Sequence, residues 1–138
     1  MMKAEVFLDT AYAIALSSRN DLFHQQAVQL AREIKASNVR LVTTRAIVLE
    51  IGNALSKQRR RHAGIKLLDA LEADPNVEII PLSEGLYQRA WQLFRERADK
   101  EWGLTDCVSF VVMQERSLTE VLTTDEHFHQ AGFQILMR

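Results

Sequence analysis

Four acidic residues, Asp9, Glu50, Asp106 and Asp125, are widely separated along the chain but occupy comparable positions in the pattern of apolar runs. Asp9 closes the run Glu5-Val6-Phe7-Leu8, and Asp125 closes Val121-Leu122-Thr123-Thr124, so two expected strands each deliver a carboxylate at the C-terminal end. Ligands bind at that edge of open α/β sheets. Glu50 falls within a helical stretch beside the stripe Ile47, Ile51 and Ala54, with Asn53 nearby, and Asp106 opens another helix at Leu104-Thr105-Asp106-Cys107. Taken singly, each aspartate has an ordinary use, because a carboxylate at a helix start caps backbone N–H groups and suits the helix dipole. Gathered in one cleft, four carboxylates repel one another and raise each other's pKa unless a cation lies among them. Oxygen-only ligands favour Mg²⁺ or Mn²⁺ over zinc, and such ions serve metal-assisted phosphodiester hydrolysis.

The elements that must position these acids alternate along the whole length. Strands are expected at residues 4–8, 40–43, 77–81, 120–124 and 133–137. Between them, Thr10–Ser17 reads as a short helix, and Asp21 is placed to cap a second with Leu22, Val28, Ala31 and Ile34 on its apolar face. Further helices are expected from Arg45 to Gln58, from Ala63 to Leu71, from Ser83 to Arg97 with Ser83 as cap, and after Gly103 with Thr105 as cap. Asp74-Pro75-Asn76 marks a turn. Strands joined by helical crossovers imply a mostly parallel sheet of about five strands, covered on both faces. The expected fold is an α/β, three-layer α/β/α sandwich formed by one domain over residues 1–138.

Composition narrows the function classes. With 47% apolar and 25% charged residues and a formal net charge of −1, the chain is that of a globular protein without a generally basic, nucleic-acid-holding surface. No signal segment or membrane-spanning run is present in the sequence, and a cytoplasmic location is expected. Basic residues nevertheless cluster at Lys57, Arg59, Arg60, Arg61 and Lys66, with His62 among them. They form either a solvated helix end or a phosphate-contacting rim.

Cys107, flanked by Val108, Phe110, Val111 and Val112, reads as buried filler. His127 and His129 are two positions apart and do not share a helical face, which argues against a histidine metal pair. His24 is expected in a local hydrogen bond. Trp91, Leu93 and Phe94 read as core or helix interface, with base stacking the less favoured use, and Trp102 stands nearer the acids.

The ordered set of motifs resembles the PIN-domain family, in particular the VapC-type ribonuclease toxins of type II toxin–antitoxin systems. The resemblance spans essentially the whole chain. It rests on Val6-Phe7-Leu8-Asp9-Thr10; on Asp21, His24 and Ala27; on Thr44, Val48-Leu49-Glu50 and Asn53; on Asp99-Lys100, Trp102-Gly103-Leu104-Thr105-Asp106-Cys107 and Ser109-Phe110; and on Leu122-Thr123-Thr124-Asp125, His127-Phe128 and Ala131-Gly132-Phe133. It implies a PIN-like fold and a metal-dependent endoribonuclease whose acidic site is Asp9, Glu50, Asp106 and Asp125, with Mg²⁺ or Mn²⁺ as cofactor. Thr10, Ser109 and Thr124 match small hydroxyl positions near that cleft, Asp99 matches a recurrent acid, and Arg59, Arg60 and Arg61 become candidate RNA contacts. A homodimer and a cognate antitoxin are the implied protein partners. A stand-alone RNA-processing nuclease and a catalytically inactive PIN-like binding module are the alternatives.

Other folds fit less well. A receiver domain needs an acidic pair near the first strand and a lysine after the last, and haloacid dehalogenase-type phosphatases need an acid where Ala11 stands. No glycine-rich loop follows the first strand, which excludes P-loop and dinucleotide-binding readings.

Overall fold

In the computed structural model, which describes all 138 residues, five strands alternate with seven helices. The order is β1 (Glu5–Leu8), α1 (Thr10–Ser17), α2 (His24–Ala36), β2 (Arg40–Thr44), α3 (Arg45–Ala54), α4 (Gln58–Ala73), β3 (Val77–Ile80), α5 (Glu84–Glu96), α6 (Leu104–Glu115), β4 (Glu120–Leu122), α7 (Glu126–Gln130) and β5 (Gln134–Ile135). The sheet order is β3-β2-β1-β4-β5, and every pairing is parallel. Val6, Phe7 and Leu8 are all buried, as expected for a central parallel strand covered on both faces. Phe7 pairs in register with Val42 of β2 and Val121 of β4.

That order fixes the cleft. From β1 the chain builds outward through β2 and β3, then returns to lay β4 on the other side of β1. The connections therefore diverge between β1 and β4, a topological switch point of the kind at which α/β sheets bind ligands. Helices cover both faces and complete the expected three-layer sandwich: α1 packs with α2, α3 and α4, while α5 packs on α6.

The core supports this edge directly. Phe110 meets Trp102 and Phe128 edge to face, with ring centroids 4.9 Å apart in each case, and packs against Phe133 at 5.8 Å. Phe128 also contacts Phe7 of the central strand at 6.3 Å. Phe110 and Phe128 stand about one helical turn beyond Asp106 and Asp125, so the packing that holds α6 and α7 also aims their first turns.

Helix ends depart from the sequence expectation, first at α4, which runs Gln58–Ala73 where Ala63 to Leu71 is expected. The stretch from Arg45 to Gln58 is not one helix: α3 stops at Ala54, and α4 starts at Gln58. Leu55 turns into the core there, against Gly64, where an added Cβ would come within 2.9 Å of the Leu55 Cβ. The Ser56 hydroxyl donates to the Asn53 carbonyl at the same break. Asp21 closes a turn by accepting from the Phe23 N–H at 2.8 Å and lies outside α2. Thr105 lies inside α6 and is not its cap, since Gly103 occupies the N-cap position and its N–H is taken by the Asp106 carboxylate at 3.0 Å. Ser83 does cap α5, accepting from the Leu86 N–H at 3.1 Å.

Candidate metal centre at the sheet switch point

Asp9 follows β1 immediately and is the N-cap residue of α1, with only 6% of its surface exposed. Its N–H donates to the Leu122 carbonyl of β4 at 3.3 Å, and Thr123 Oγ1 donates to Asp9 Oδ2 at 2.7 Å. Burial pushes the Asp9 carboxyl up to about 7; hydrogen bonds from Thr123 and Thr10 oppose the rise, and the Glu50 and Asp106 charges add to it.

Asp106 stands in the first turn of α6. Its Oδ2 accepts from the Gly103 N–H and lies 3.0 Å from His127 Nδ1. Burial raises its pKa above the ordinary carboxylate value, against those two hydrogen bonds, and the Asp125 charge raises it further. Asp125 caps α7 through Oδ1, which accepts from the His127 N–H at 2.9 Å and lies 3.5 Å from His127 Nδ1. Glu50 projects from α3 on the exposed side and accepts a short hydrogen bond from the Thr10 hydroxyl.

The four carboxylates thus form one electrostatic group. Asp9 is raised by Glu50 and Asp106, and Asp106 by Asp125. Asp106, Asp125 and His127 form a tighter subset whose ligand atoms all lie within 4.8 Å of one another. This donor set suits a divalent cation: carboxylates that are costly to ionise together lose that cost when a positive charge lies among them. Asp106, Asp125 and His127 would hold the ion, with Asp9 near enough for its charge to act on Asp106.

His127 is the residue the sequence pattern undervalued. It does not share a face with His129, yet it needs none, because its ring is paired with Asp106 on α6 and its own backbone with Asp125. The signal available was its place two residues after a strand-end acid.

The remaining positions separate clearly. Thr10 touches Glu50, as described. Thr123, one residue before Thr124, is the buried hydroxyl that binds Asp9 and accepts from the Asp125 N–H at 3.1 Å. Thr124 is half-buried and makes no side-chain hydrogen bond. Both lie just past the end of β4, and only the Thr123 side chain turns inward to Asp9. Ser109 is buried and donates to the Thr105 carbonyl at 3.2 Å, a bond within α6. Asp99 forms a two-point ion pair with Arg97 at 3.0 and 3.1 Å, and the guanidinium holds its carboxyl below the usual range. His24 Nδ1 bonds the Ala15 carbonyl at 2.8 Å, and Cys107 is fully buried, with burial pushing its thiol up to about 11. Arg59, Arg60 and Arg61 are exposed in the first turn of α4 and take part in no ion pair.

A five-stranded parallel α/β sandwich with carboxylates converging at its switch point defines the class of the molecule. Residues 6–134 match the family described as the PIN domain, and the chain belongs to that family. Its sequence is similar to VapC20 of Mycobacterium tuberculosis, described as a 23S rRNA-specific endonuclease, at 26% identity over 128 residues, covering 93% of this chain and 95% of that protein. The crystal structure of VapC20, described as a Sarcin-Ricin loop cleaving toxin, superposes with a TM-score of 0.83 at 22% identity, covering 96% of this chain and 99% of that one. VapBC2 from Rickettsia felis, bound to a DNA fragment from their promoter, shares the fold with a TM-score of 0.72 at 14% identity, over 97% of this chain and 99% of its own. FitAcB from Neisseria gonorrhoeae does so with a TM-score of 0.64 at 18% identity, over 95% and 96% of the two chains. No helix of this chain is long and apolar enough to cross a membrane.

Proposed function

We propose that this protein is a Mg²⁺- or Mn²⁺-dependent endoribonuclease, acting through residues 1–138 as one nuclease unit and serving as the toxin of a toxin–antitoxin pair. The observation that carries the reading is the cluster of Asp106, Asp125 and His127, whose ligand atoms lie within 4.8 Å of one another, beside the buried Asp9 carboxyl at the switch point. Capping does not account for the buried Asp9 carboxylate: beyond the adjacent Thr10 N–H, its side chain makes no cap hydrogen bond in α1. It suits a site built to receive a cation. The bound ion would activate water and neutralise charge on a phosphodiester.

The chain's own residues would then divide the work. Asp106 and Asp125 bind the ion with His127, Asp9 balances charge from below, and Glu50, held by Thr10, orients solvent at the open side. Similarity to VapC20 supports RNA as substrate and ribosomal RNA as the first class to examine. The basic turn Arg59–Arg61 supports phosphate contact for an electrostatic reason. Cations at a helix N-terminus oppose the helix dipole by a few tenths of a kcal/mol each, roughly, and an anion placed there relieves them. A homodimer and a cognate antitoxin that covers the acidic site complete this reading.

The test is incubation of purified protein with total cellular RNA in Mg²⁺, Mn²⁺ or EDTA, beside Asp106→Asn, with new 5′ ends mapped. Metal-dependent ends absent from the variant are expected. Equal cutting by both proteins, or in EDTA, would reject the site.

A further inference from the structure

A second surface, aromatic and cationic, lies next to the acidic site. Within α5, Leu86 and Ala90 are buried, but Trp91 and Phe94 face outward, 39% and 40% exposed. The two rings stack on each other, with centroids 5.6 Å apart and planes 18° from parallel. They wall a cavity of about 360 Å³ together with Arg95, Arg97, Lys100 and Trp102. No carboxylate lines it; Asp99, which pairs with Arg97 and, at 3.9 Å, with Lys100, lies outside the lining.

We propose that this cavity is a nucleotide subsite, in which a base of single-stranded RNA stacks against the Trp91–Phe94 pair while Arg95 and Lys100 receive the adjoining phosphate. The proposal rests on the nuclease reading for its choice of RNA. Its chemistry is that of single-strand binding in general, which joins aromatic faces that accept any base to a cationic rim that follows the backbone. Charge favours a polyanion: three cations line the cavity against the single Asp99 carboxylate, which pairs with Arg97 and Lys100, and Arg95 takes part in no ion pair of the structure.

Continuity with the acidic site supports the same occupant. Trp102 and Cys107, both in the cavity wall, bracket Asp106 in the chain. The Trp102 ring is fixed on three sides, by Phe110 edge to face, by the Arg97 guanidinium 5.0 Å from its centroid, and by its Nε1–H donating to Gln130 of α7 at 3.0 Å. Gly103 follows it and donates to Asp106. These contacts join the Trp102 wall to the first turn of α6, on which α5 packs, so a base held at Trp91 sets where the chain of RNA passes the carboxylates.

The test measures binding without cleavage. Fluorescence anisotropy of a labelled single-stranded RNA and of an abasic oligonucleotide of equal length is recorded in EDTA, for wild type, Trp91→Ala, Trp91→Phe, Phe94→Ala and Arg95→Ala, with solution mass measured in parallel. Trp91→Ala and Phe94→Ala are expected to weaken RNA binding at least fivefold, roughly, while hardly changing abasic binding; Trp91→Phe restores it. Arg95→Ala weakens both ligands and flattens the salt dependence. Equal RNA affinity in wild type and Trp91→Ala overturns the proposal, as does no RNA binding by wild type. A change of oligomeric mass in Trp91→Ala also overturns it, since a second copy of the chain would then own the surface. Because the readout is binding in EDTA, a protein that binds through Trp91 but cuts nothing with metal would reject the nuclease reading alone.

Discussion

Thr123 Oγ1 donates to Asp9 Oδ2 at 2.7 Å and thereby ties the end of β4 to the end of β1 across the switch point. The same oxygen accepts from the Asp125 N–H. One buried hydroxyl therefore sets the orientation of one acid and the backbone of another. Thr123→Val keeps the shape but leaves that N–H and a buried carboxylate oxygen without their partner. A stability loss of about 1–3 kcal/mol is expected in urea unfolding, together with weaker metal binding, and Thr123→Ser should recover most of both. Full metal affinity in Thr123→Val would remove the hydroxyl from the site.

Asp9 predicts how stability depends on pH. Its carboxyl is raised from 3.8 to about 7 in the fold, so the folded state holds this proton more tightly than the unfolded chain does. The associated stability is fully present below about pH 4 and is lost as pH rises through about 7, a loss of at most about 4 kcal/mol. In EDTA, thermal midpoints of wild type are expected to fall across that window relative to Asp9→Asn. Saturating Mn²⁺ should shrink the difference, because the ion favours the ionised carboxylate. Parallel pH profiles for the two proteins would place the Asp9 charge in solvent.

Much of this site is legible in the sequence because strand ends are. Apolar runs that stop at an acid define Asp9 and Asp125, and the crossover pattern fixes a parallel sheet, leaving little freedom over which edge they occupy. Glu50 and Asp106 are legible for a different reason, since a carboxylate beside an apolar stripe or at a helix start needs an explanation. What is not legible depends on packing. The break at Leu55 follows from its burial against Gly64, which no local propensity announces, and the choice of Thr123 over Thr124 depends on which side chain of the turn after β4 is packed inward. His127 is missed by reasoning within one helix when its partner stands on another. Trp91 and Phe94 read as core or helix interface in the sequence, and only the packed structure leaves them outside.

The acids themselves are tested by amides. Asp9→Asn, Glu50→Gln, Asp106→Asn and Asp125→Asn are each expected to lower cleavage by about a hundredfold or more while leaving a cooperative unfolding transition. An asparagine at position 106 still accepts from the Gly103 N–H, and one at 125 from the His127 N–H, so both helix starts survive the change. Cleavage within a few-fold of wild type in any of the four removes that residue from the set.

His127 should affect which ion is preferred. An imidazole among carboxylates favours first-row transition ions over Mg²⁺, which takes oxygen ligands and keeps its waters. The ratio of Mn²⁺ to Mg²⁺ affinity, read from ion-induced shifts in thermal midpoint, is expected to fall severalfold in His127→Gln. His129→Gln serves as the control, since its residue lies outside the cluster. An unchanged ratio would leave His127 as a hydrogen-bonding partner of Asp106 and nothing more.

Arg59, Arg60 and Arg61 make the last prediction, and salt is the variable that separates their two uses. If they only solvate the start of α4, replacing them with alanine removes cations that oppose the helix dipole, and RNA binding does not change. If they neutralise phosphates, every arginine removed reduces the slope of log affinity against log salt by about 0.7 on a single strand. Arg60→Ala is expected to lower that slope by about one such step, and the triple variant by about two to three, with RNA affinity in low salt falling accordingly. Stability should hold or rise slightly in both, because no ion pair is broken. A triple variant with the wild-type slope would assign these arginines to solvent and leave phosphate binding to the acidic cleft and the Arg95 rim.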